Sequence, residues 1–415
     1  MLPDALAGTL KGVRVLSLEQ AVALPFATRH LAHLGAEVIR VQTPERARPI
    51  EQSSIELIRS KRQVGVNLGA EGGPETFLKL ASACDVVAHN FTPRVVRKFG
   101  IDYEGVRAVN EDVIYVSLTG FGTTGPWGER PLFGPGAEAV GGHNLLIGDP
   151  DAWPGRPGTG VYADDTCGLY ATFAILAALE ERGRTGAGQH IDISLYETMV
   201  AHLGPVLAEQ SRGAEARRAA NDDARFAIHG VFDARGHDRH VAIAATEDQL
   251  DALGRALGVS PVTTASVAAA VAALDAEDAE ARLVAAGVPA SITADACDTL
   301  ADPHLWAHQF YEVRRLQAEG GATAYPHQSA AWGGHTDGLV EEPRYVGQDN
   351  EAILREVAGC TPDEIAGLIE SGAIGEANVA PTGGRRAAAD HETRIERGEL
   401  SRVDPPMDWG VFDDR

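Results

Sequence analysis

Only four of the 415 residues are lysine, Lys11, Lys61, Lys79 and Lys98, and none lies beyond the first hundred positions. Acidic residues outnumber basic ones by 59 to 36, leaving a formal net charge of −23. So acidic a chain gains nothing from a polyphosphate backbone or an anionic lipid surface, which argues against nucleic acid and membrane as partners. It leaves open a small anionic ligand held by a local basic patch. No apolar run is long enough to span a bilayer. The opening residues Met1 to Lys11 carry an acid and lack a basic start with a long apolar middle, unlike a secretory signal. Cys84, Cys167, Cys297 and Cys360 are far apart and lack paired ligand spacing, which reads as reduced core thiols in a cytoplasmic protein. His30 with His33, and His237 with His240, repeat at i, i+3 without a third ligand, so no metal is expected.

What is present is ample apolar sequence for a large core, 44% of residues, in a chain longer than one core usually serves. From Val13 to Leu118 short β-branched runs alternate with helical segments, as in a parallel sheet with crossover helices. Strands are expected at Val13 to Leu18, Val38 to Val41, Val86 to Ala88, Val113 to Leu118 and Gln189 to Ser194, and helices at Phe26 to Leu34 and Pro74 to Ser82. The fold class is therefore α/β, a Rossmann-like large domain with a smaller α+β domain. Residues 1–210 form the large, ligand-binding domain in this reading, 211–224 a polar linker, 225–322 the small domain, and 323–415 a return to the large domain plus a tail. That tail has little apolar content after Ala380 and reads as poorly ordered or draped over a surface.

The stretch from Tyr162 to Glu197 places two carboxylates, Asp164 and Asp165, at the start of a helix that is apolar on nearly every face from Cys167 to Leu179. Two readings remain open on the residues alone. The pair caps an ordinary core helix, or one carboxylate, kept ionised by the helix N-terminus, is a nucleophile beside a dry pocket. A glycine- and proline-rich segment from Gly134 to Gly160 leads into it and reads as a long functional loop. Upstream, Gly120-Phe-Gly122-Thr-Thr-Gly125 matches the dinucleotide-binding spacing, but it runs into Pro126-Trp127-Gly128 instead of opening an apolar helix. A loop lining a pocket is the better reading, with its amides available to an oxyanion.

Several stretches, in order, resemble the class III CoA-transferases, the CaiB/BaiF type. They are Leu10-Lys-Gly-Val-Arg-Val-Leu-Ser-Leu-Glu19, Leu34-Gly-Ala-Glu-Val-Ile-Arg40, Asn90-Phe-Thr-Pro93, Phe99-Gly-Ile-Asp-Tyr103, Ser117-Leu-Thr-Gly-Phe-Gly-Thr-Thr-Gly-Pro126, the Tyr162 to Glu197 stretch, and Asp302-Pro-His-Leu305. The resemblance implies an aspartate nucleophile four residues before a glycine, and Asp164 to Gly168 has that spacing. It implies transfer of CoA from an acyl-CoA to a carboxylic acid through an aspartyl-CoA thioester, with CoA thioesters as substrates and no cofactor. It also implies an interlocked homodimer.

For CoA, the resemblance assigns Val22 and Ala23 to the pantetheine channel and Val66, Asn90 and Phe91 to the nucleotide end. It sets Lys98 near the phosphates, with Arg59 and Lys61 as further basic candidates. There are departures. Asn67-Leu68-Gly69 stands where Asp-Leu-Lys is common, which removes one usual phosphate contact. Phe133 occupies the position of the acid–base histidine of the related 2-methylacyl-CoA racemases, and a phenyl ring carries no proton. Racemase therefore stands as the alternative, beside a non-catalytic CoA-binding protein. Ser17 to Arg29 looks most like members acting on itaconate, mesaconate or similar short dicarboxylates.

Overall fold

Six strands, β1 (Arg14–Leu18), β2 (Glu37–Gln42), β3 (Arg62–Gly65), β4 (Val86–His89), β5 (Ile114–Thr119) and β6 (Gln189–Ser194), pair in parallel in the order 3-2-1-4-5-6. That is the order of dinucleotide-binding α/β sheets, in which the chain reverses direction across the sheet between β1 and β4. The computed structural model describes residues 8–47, 52–158, 161–308, 310–316, 321–326, 341 and 343–377. The tail after Ala380 lies outside the described residues.

Both faces of the sheet are buried at its central strands β1, β4 and β5, which are therefore near-continuously apolar. Val15, Val38, Val86, Ile114 and Val116 point to one face, packed under the first helix (Ala23–His33) and the central helix (Tyr162–Thr185). Their neighbours Leu16, Ile39, Val64, Val87 and Tyr115 point to the other, with Phe77, Leu80, Ile353 and Leu354. Strand β3 escaped the sequence reading because Arg-Gln-Val-Gly is four residues long and half polar. Its outward amides are met by side chains: Gln63 N–H donates to Asp349 Oδ2 at 2.8 Å and Gly65 N–H to Asn350 Oδ1 at 2.9 Å. Residues beyond 340 thus protect this edge from pairing elsewhere.

The chain divides into two compact units. One comprises Met1–His143, Pro157–Gly204 and Trp306–Arg415, and the other Asn144–Arg156 and Pro205–Leu305. The second unit has its own core, an antiparallel sheet of β7 (Ile228–Asp233), β8 (His240–Ala245) and β9 (Ala290–Ile292). Helices Leu250–Leu257, Thr264–Ala272 and Ala276–Ala285 cover it through Leu253, Val267, Val271 and Leu283. A two-stranded ribbon, β10 (Tyr311–Leu316) with β11 (Gly321–Pro326), follows.

Two expectations need correction. The segment from Gly134 is not a loop throughout, because Gly134–Val140 and His143–Leu146 are short helices. Its glycines mark close approach: a Cβ on Gly136 would lie 2.8 Å from Leu132 Cδ1, and one on Gly141 2.6 Å from Met199 Cβ. The central helix is not buried all round either. One side packs on the first helix, where Gly168 would place a Cβ 2.7 Å from the Ala23 carbonyl, while Leu169 (52%), Tyr170 (47%) and Phe173 (72%) are exposed in the single chain.

Candidate active site

In open parallel sheets the crevice beyond the carboxyl ends of the strands, at the reversal point, is the natural ligand site. Here it holds a cavity of about 950 Å³. Leu18 to Ala21 after β1, Thr43 after β2, Val66 to Gly69 after β3 and Phe91 after β4 all contribute to its wall. A second pocket, of about 70 Å³, shares Gln20, Ala21, Phe91 and Phe133 with it and contains Asp164. Ala21 sits between the two at φ 54°, a left-handed conformation that a non-glycine residue adopts only where its surroundings impose it.

Asp164 is 6% exposed. The helix N-cap is Val161, so Asp164 lies in the first turn and is not the cap. Its carboxylate instead faces the backbone N–H groups of Ala23 and Gly134, which draw its pKa down. These are the first residues of the helices Ala23–His33 and Gly134–Val140, whose leading amides have no partner within their own helices. Three helix starts therefore converge on one carboxylate. Gly134 is required there, because a Cβ would fall 1.9 Å from Asp164 Oδ2.

The expectation of a low pKa from the helix start is overturned. Burial, and then the neighbouring carboxylates Asp165 and Glu138, push the Asp164 carboxyl up to about 6 against those two amides. It is still mostly ionised at neutral pH. Asp165 is also raised by burial, with Arg29 opposing. Glu138 is fully buried and accepts the Ala163 N–H at 3.4 Å. Nothing in the sequence pattern marked it, since a single glutamate in a glycine-rich run reads as solvated.

The other site expectations scatter. Ala23 lines the small pocket, Val66 and Lys98 the large cavity, and Phe91 both. Lys98 is exposed and lies over the Phe99 ring at 4.9 Å. Asn90 lines the small pocket, but its amide spans the strand reversal: it accepts the Gln20 N–H at 2.9 Å and donates to the Gln20 carbonyl at 2.7 Å. Val22 is the N-cap of the first helix and lines neither cavity.

Arg59 and Lys61 are placed away from the phosphate role expected of them. They are 0% and 1% exposed, absent from both linings, and engaged inside the fold. Arg59 pairs with Glu56 at 2.6 Å. Lys61 Nζ donates to Glu19 Oε1 at 2.7 Å, Thr28 Oγ1 at 2.7 Å and the Pro25 carbonyl at 2.9 Å. Burial pulls this ammonium down to about 8 despite Glu19. Burial likewise pushes the Glu19 carboxyl up, but Lys61 and Arg40 outweigh it and hold it below its ordinary value. A strand-end Arg-Ser-Lys-Arg looks like surface charge, and only the long-range contact with Glu19 reveals a strut beneath the first helix. Arg40, which sequence reading passed over, does line the large cavity while pairing with Glu19 at 3.2 Å.

The glycine-rich loop is pinned by Asp192, which accepts the Thr123 N–H at 2.9 Å and its hydroxyl at 2.5 Å. Only its first glycine, Gly120, reaches the small pocket, and no helix follows before Gly134. The amides at Asp164 thus come from helix starts and not from this loop. His33 receives an Arg59 N–H at 3.2 Å, and His240 lies between Asp233 and Asp238, each at 3.0 Å. No helix among the described residues is long and apolar enough to cross a membrane.

The model of CoA-transferase family III matches residues 10–350. The beta subunit of succinyl-CoA–L-malate CoA-transferase from Chloroflexus aurantiacus is 29% identical over 395 residues, 86% of this chain and 96% of that protein. Succinyl-CoA:mesaconate CoA-transferase from Haloarcula marismortui is 35% identical over 260 residues, 58% of this chain and 65% of that protein. Of that second relative the chain spans slightly under two thirds. The crystal structure of a CaiB/BaiF family protein from Brucella suis superposes with a TM-score of 0.74 at 27% identity, covering 84% of this chain and 99% of the other.

Proposed function

The chain belongs to CoA-transferase family III, and we propose that it moves CoA from succinyl-CoA or a similar acyl-CoA to a short dicarboxylic acid, with Asp164 as the covalent carrier. An Asp164 oxygen attacks the thioester carbonyl carbon, the C–S bond breaks, and CoA leaves as thiolate from an acyl-aspartyl anhydride. The thiolate then attacks the aspartyl carbonyl, releasing the donor carboxylate and leaving an aspartyl-CoA thioester. The acceptor carboxylate attacks that thioester, and the same two steps in reverse order release the new acyl-CoA and the free Asp164 carboxylate. No step consumes or yields a net proton.

The observation that carries this reading is the composition of the small pocket. Asp164 is the only ionisable side chain in its lining, among Gln20, Asn90, Thr92, Thr119 and apolar groups. A route without proton transfer needs one carboxylate and neutral donors, and the helix-start amides of Ala23 and Gly134 face the Asp164 carboxylate, where an oxyanion forms on the aspartyl carbon when the thiolate attacks it. Racemisation needs an acid–base pair, and Phe133 beside Asp164 offers none.

The acyl and acceptor classes follow the names of the relatives above and the likeness of Ser17 to Arg29 to members acting on dicarboxylates. Val66, Phe91, Lys98 and Arg40 are the proposed contacts of the CoA moiety in the large cavity, with no metal or redox group called upon. The proposal includes an interlocked homodimer in the cytoplasm, supported by the apolar side chains exposed on the central helix and by four free cysteines. The decisive experiment is intact-mass measurement after mixing the protein with succinyl-CoA, followed by peptide mapping. A CoA adduct on Asp164, absent from Asp164→Ala, is expected, and an active enzyme with no adduct would sink the covalent route.

A further inference from the structure

Thr119 ends β5 and is one of the residues lining the small pocket with Asp164. The residue is 5% exposed, and its hydroxyl is buried without any hydrogen-bond partner. Folding rarely leaves a hydroxyl in that state, because desolvating it without compensation is unfavourable, and such exceptions gather where a ligand completes the bonding. The neighbouring polar groups do not supply that partner. Asn90 is committed to the Gln20 backbone, and the Ser194 hydroxyl donates to the Gly120 carbonyl at 3.3 Å.

We infer that the Thr119 hydroxyl is a substrate contact, donating its hydrogen bond to the carbonyl oxygen of the acyl group held against Asp164. The inference rests on the reading of Asp164 as the acyl-accepting carboxylate. A hydroxyl suits the position because it rotates to follow the oxygen as the carbonyl becomes an oxyanion and then an anhydride. It also adds no charge to a pocket whose one ionisable group must stay anionic. In this arrangement the amides of Ala23 and Gly134 hold the nucleophile and Thr119 holds the electrophile.

The test uses the full-length enzyme with Thr119→Val, which replaces the hydroxyl by a methyl of nearly equal size, and Thr119→Ser, which keeps it. The rate of CoA attachment to Asp164 from succinyl-CoA is read by mass spectrometry, affinities for CoA by calorimetry, and folding by thermal melting. Thr119→Val should attach CoA more slowly by on the order of 100-fold, with CoA affinity unchanged and the melting temperature unchanged or higher. Thr119→Ser should stay near wild type. Attachment by Thr119→Val at the wild-type rate would overturn the inference, as would a rate loss that only mirrors a lower melting temperature. If wild type itself forms no adduct, the Asp164 reading fails separately. Calorimetry then decides for Thr119: a tenfold weaker grip on succinyl-CoA relative to CoA in Thr119→Val supports the contact, and an unchanged ratio overturns it.

Discussion

A Cβ built on Gly134 would lie 1.9 Å from Oδ2 of Asp164, thirty residues further along the chain. The carboxylate and the start of the Gly134–Val140 helix are in closer contact than any side chain at position 134 allows. Gly134→Ala must therefore push the carboxylate off the two amides or tilt the helix. Misplacement of a reacting group by about an ångström costs on the order of 100-fold in rate, and crowding of this kind costs about 1–3 kcal/mol in stability. Steady-state kinetics beside a denaturant melt will show whether the rate loss exceeds the loss of folded protein, as expected.

Gly168 makes a parallel prediction from the other side of the carboxylate. Alanine there would bring its Cβ to 2.7 Å from the Ala23 carbonyl and 3.0 Å from Phe26 Cδ1, parting the first and central helices. Since the Ala23 N–H faces Asp164 and lowers its pKa, Gly168→Ala should lower kcat more than it raises KM for the acyl-CoA. A variant with wild-type kcat would show that this helix contact does not position the nucleophile.

The pH dependence follows from Asp164. Its carboxyl is raised from 3.8 to about 6, so the rate of CoA attachment should be level near pH 7 and above and fall about tenfold per unit below about pH 6. Stability carries the opposite sign. A buried acid with a raised pKa opposes folding once ionised; the cost is absent below about 3.8 and complete above about 6. Two units correspond to at most ~3 kcal/mol. Asp164→Asn, neutral at every pH, should gain in melting temperature on wild type between about pH 4 and pH 7, and a constant difference across that range would contradict the raised pKa.

Glu19 and Lys61 are both fully buried and bonded at 2.7 Å. Removing one partner, as in Lys61→Met or Glu19→Gln, leaves the other charge uncompensated and should cost about 3–5 kcal/mol. The double variant should cost much less than the sum, read by a double-mutant cycle in urea. The folded fraction of Lys61→Met should keep its affinity for CoA, because this ammonium holds the Pro25 carbonyl and faces neither cavity. A large loss of CoA affinity would instead restore Lys61 as a phosphate contact.

Much of the fold was legible from local pattern. Strand-length β-branched runs separated by helical segments give a parallel α/β sheet whatever the details, and the pair Asp164 and Asp165 stood out at the start of a helix with almost no polar face, the family resemblance choosing between them. What escaped was short or spoke through distance. Strand β3 is four residues without alternation, and its role depends on Asp349 and Asn350, nearly three hundred positions away. The Gly134–Val140 helix contradicts its own composition because tight packing, and not propensity, selects its glycines. Arg59 and Lys61 read as candidate phosphate contacts because no window of sequence contains both Lys61 and Glu19.

The sequence by itself determined the fold class and the family likeness, since each depends on residue types at fixed short spacings, and the likeness in turn singled out Asp164 as the residue on which the chemistry is expected to turn. Tertiary structure decided the environment of that residue. It sets two helix-start amides against Asp164, raises its pKa by burying it beside Asp165 and Glu138, and leaves the Thr119 hydroxyl unpaired in the same pocket. Those are electrostatic and solvation effects, summed over groups brought together from distant parts of the chain, and local sequence carries no record of them.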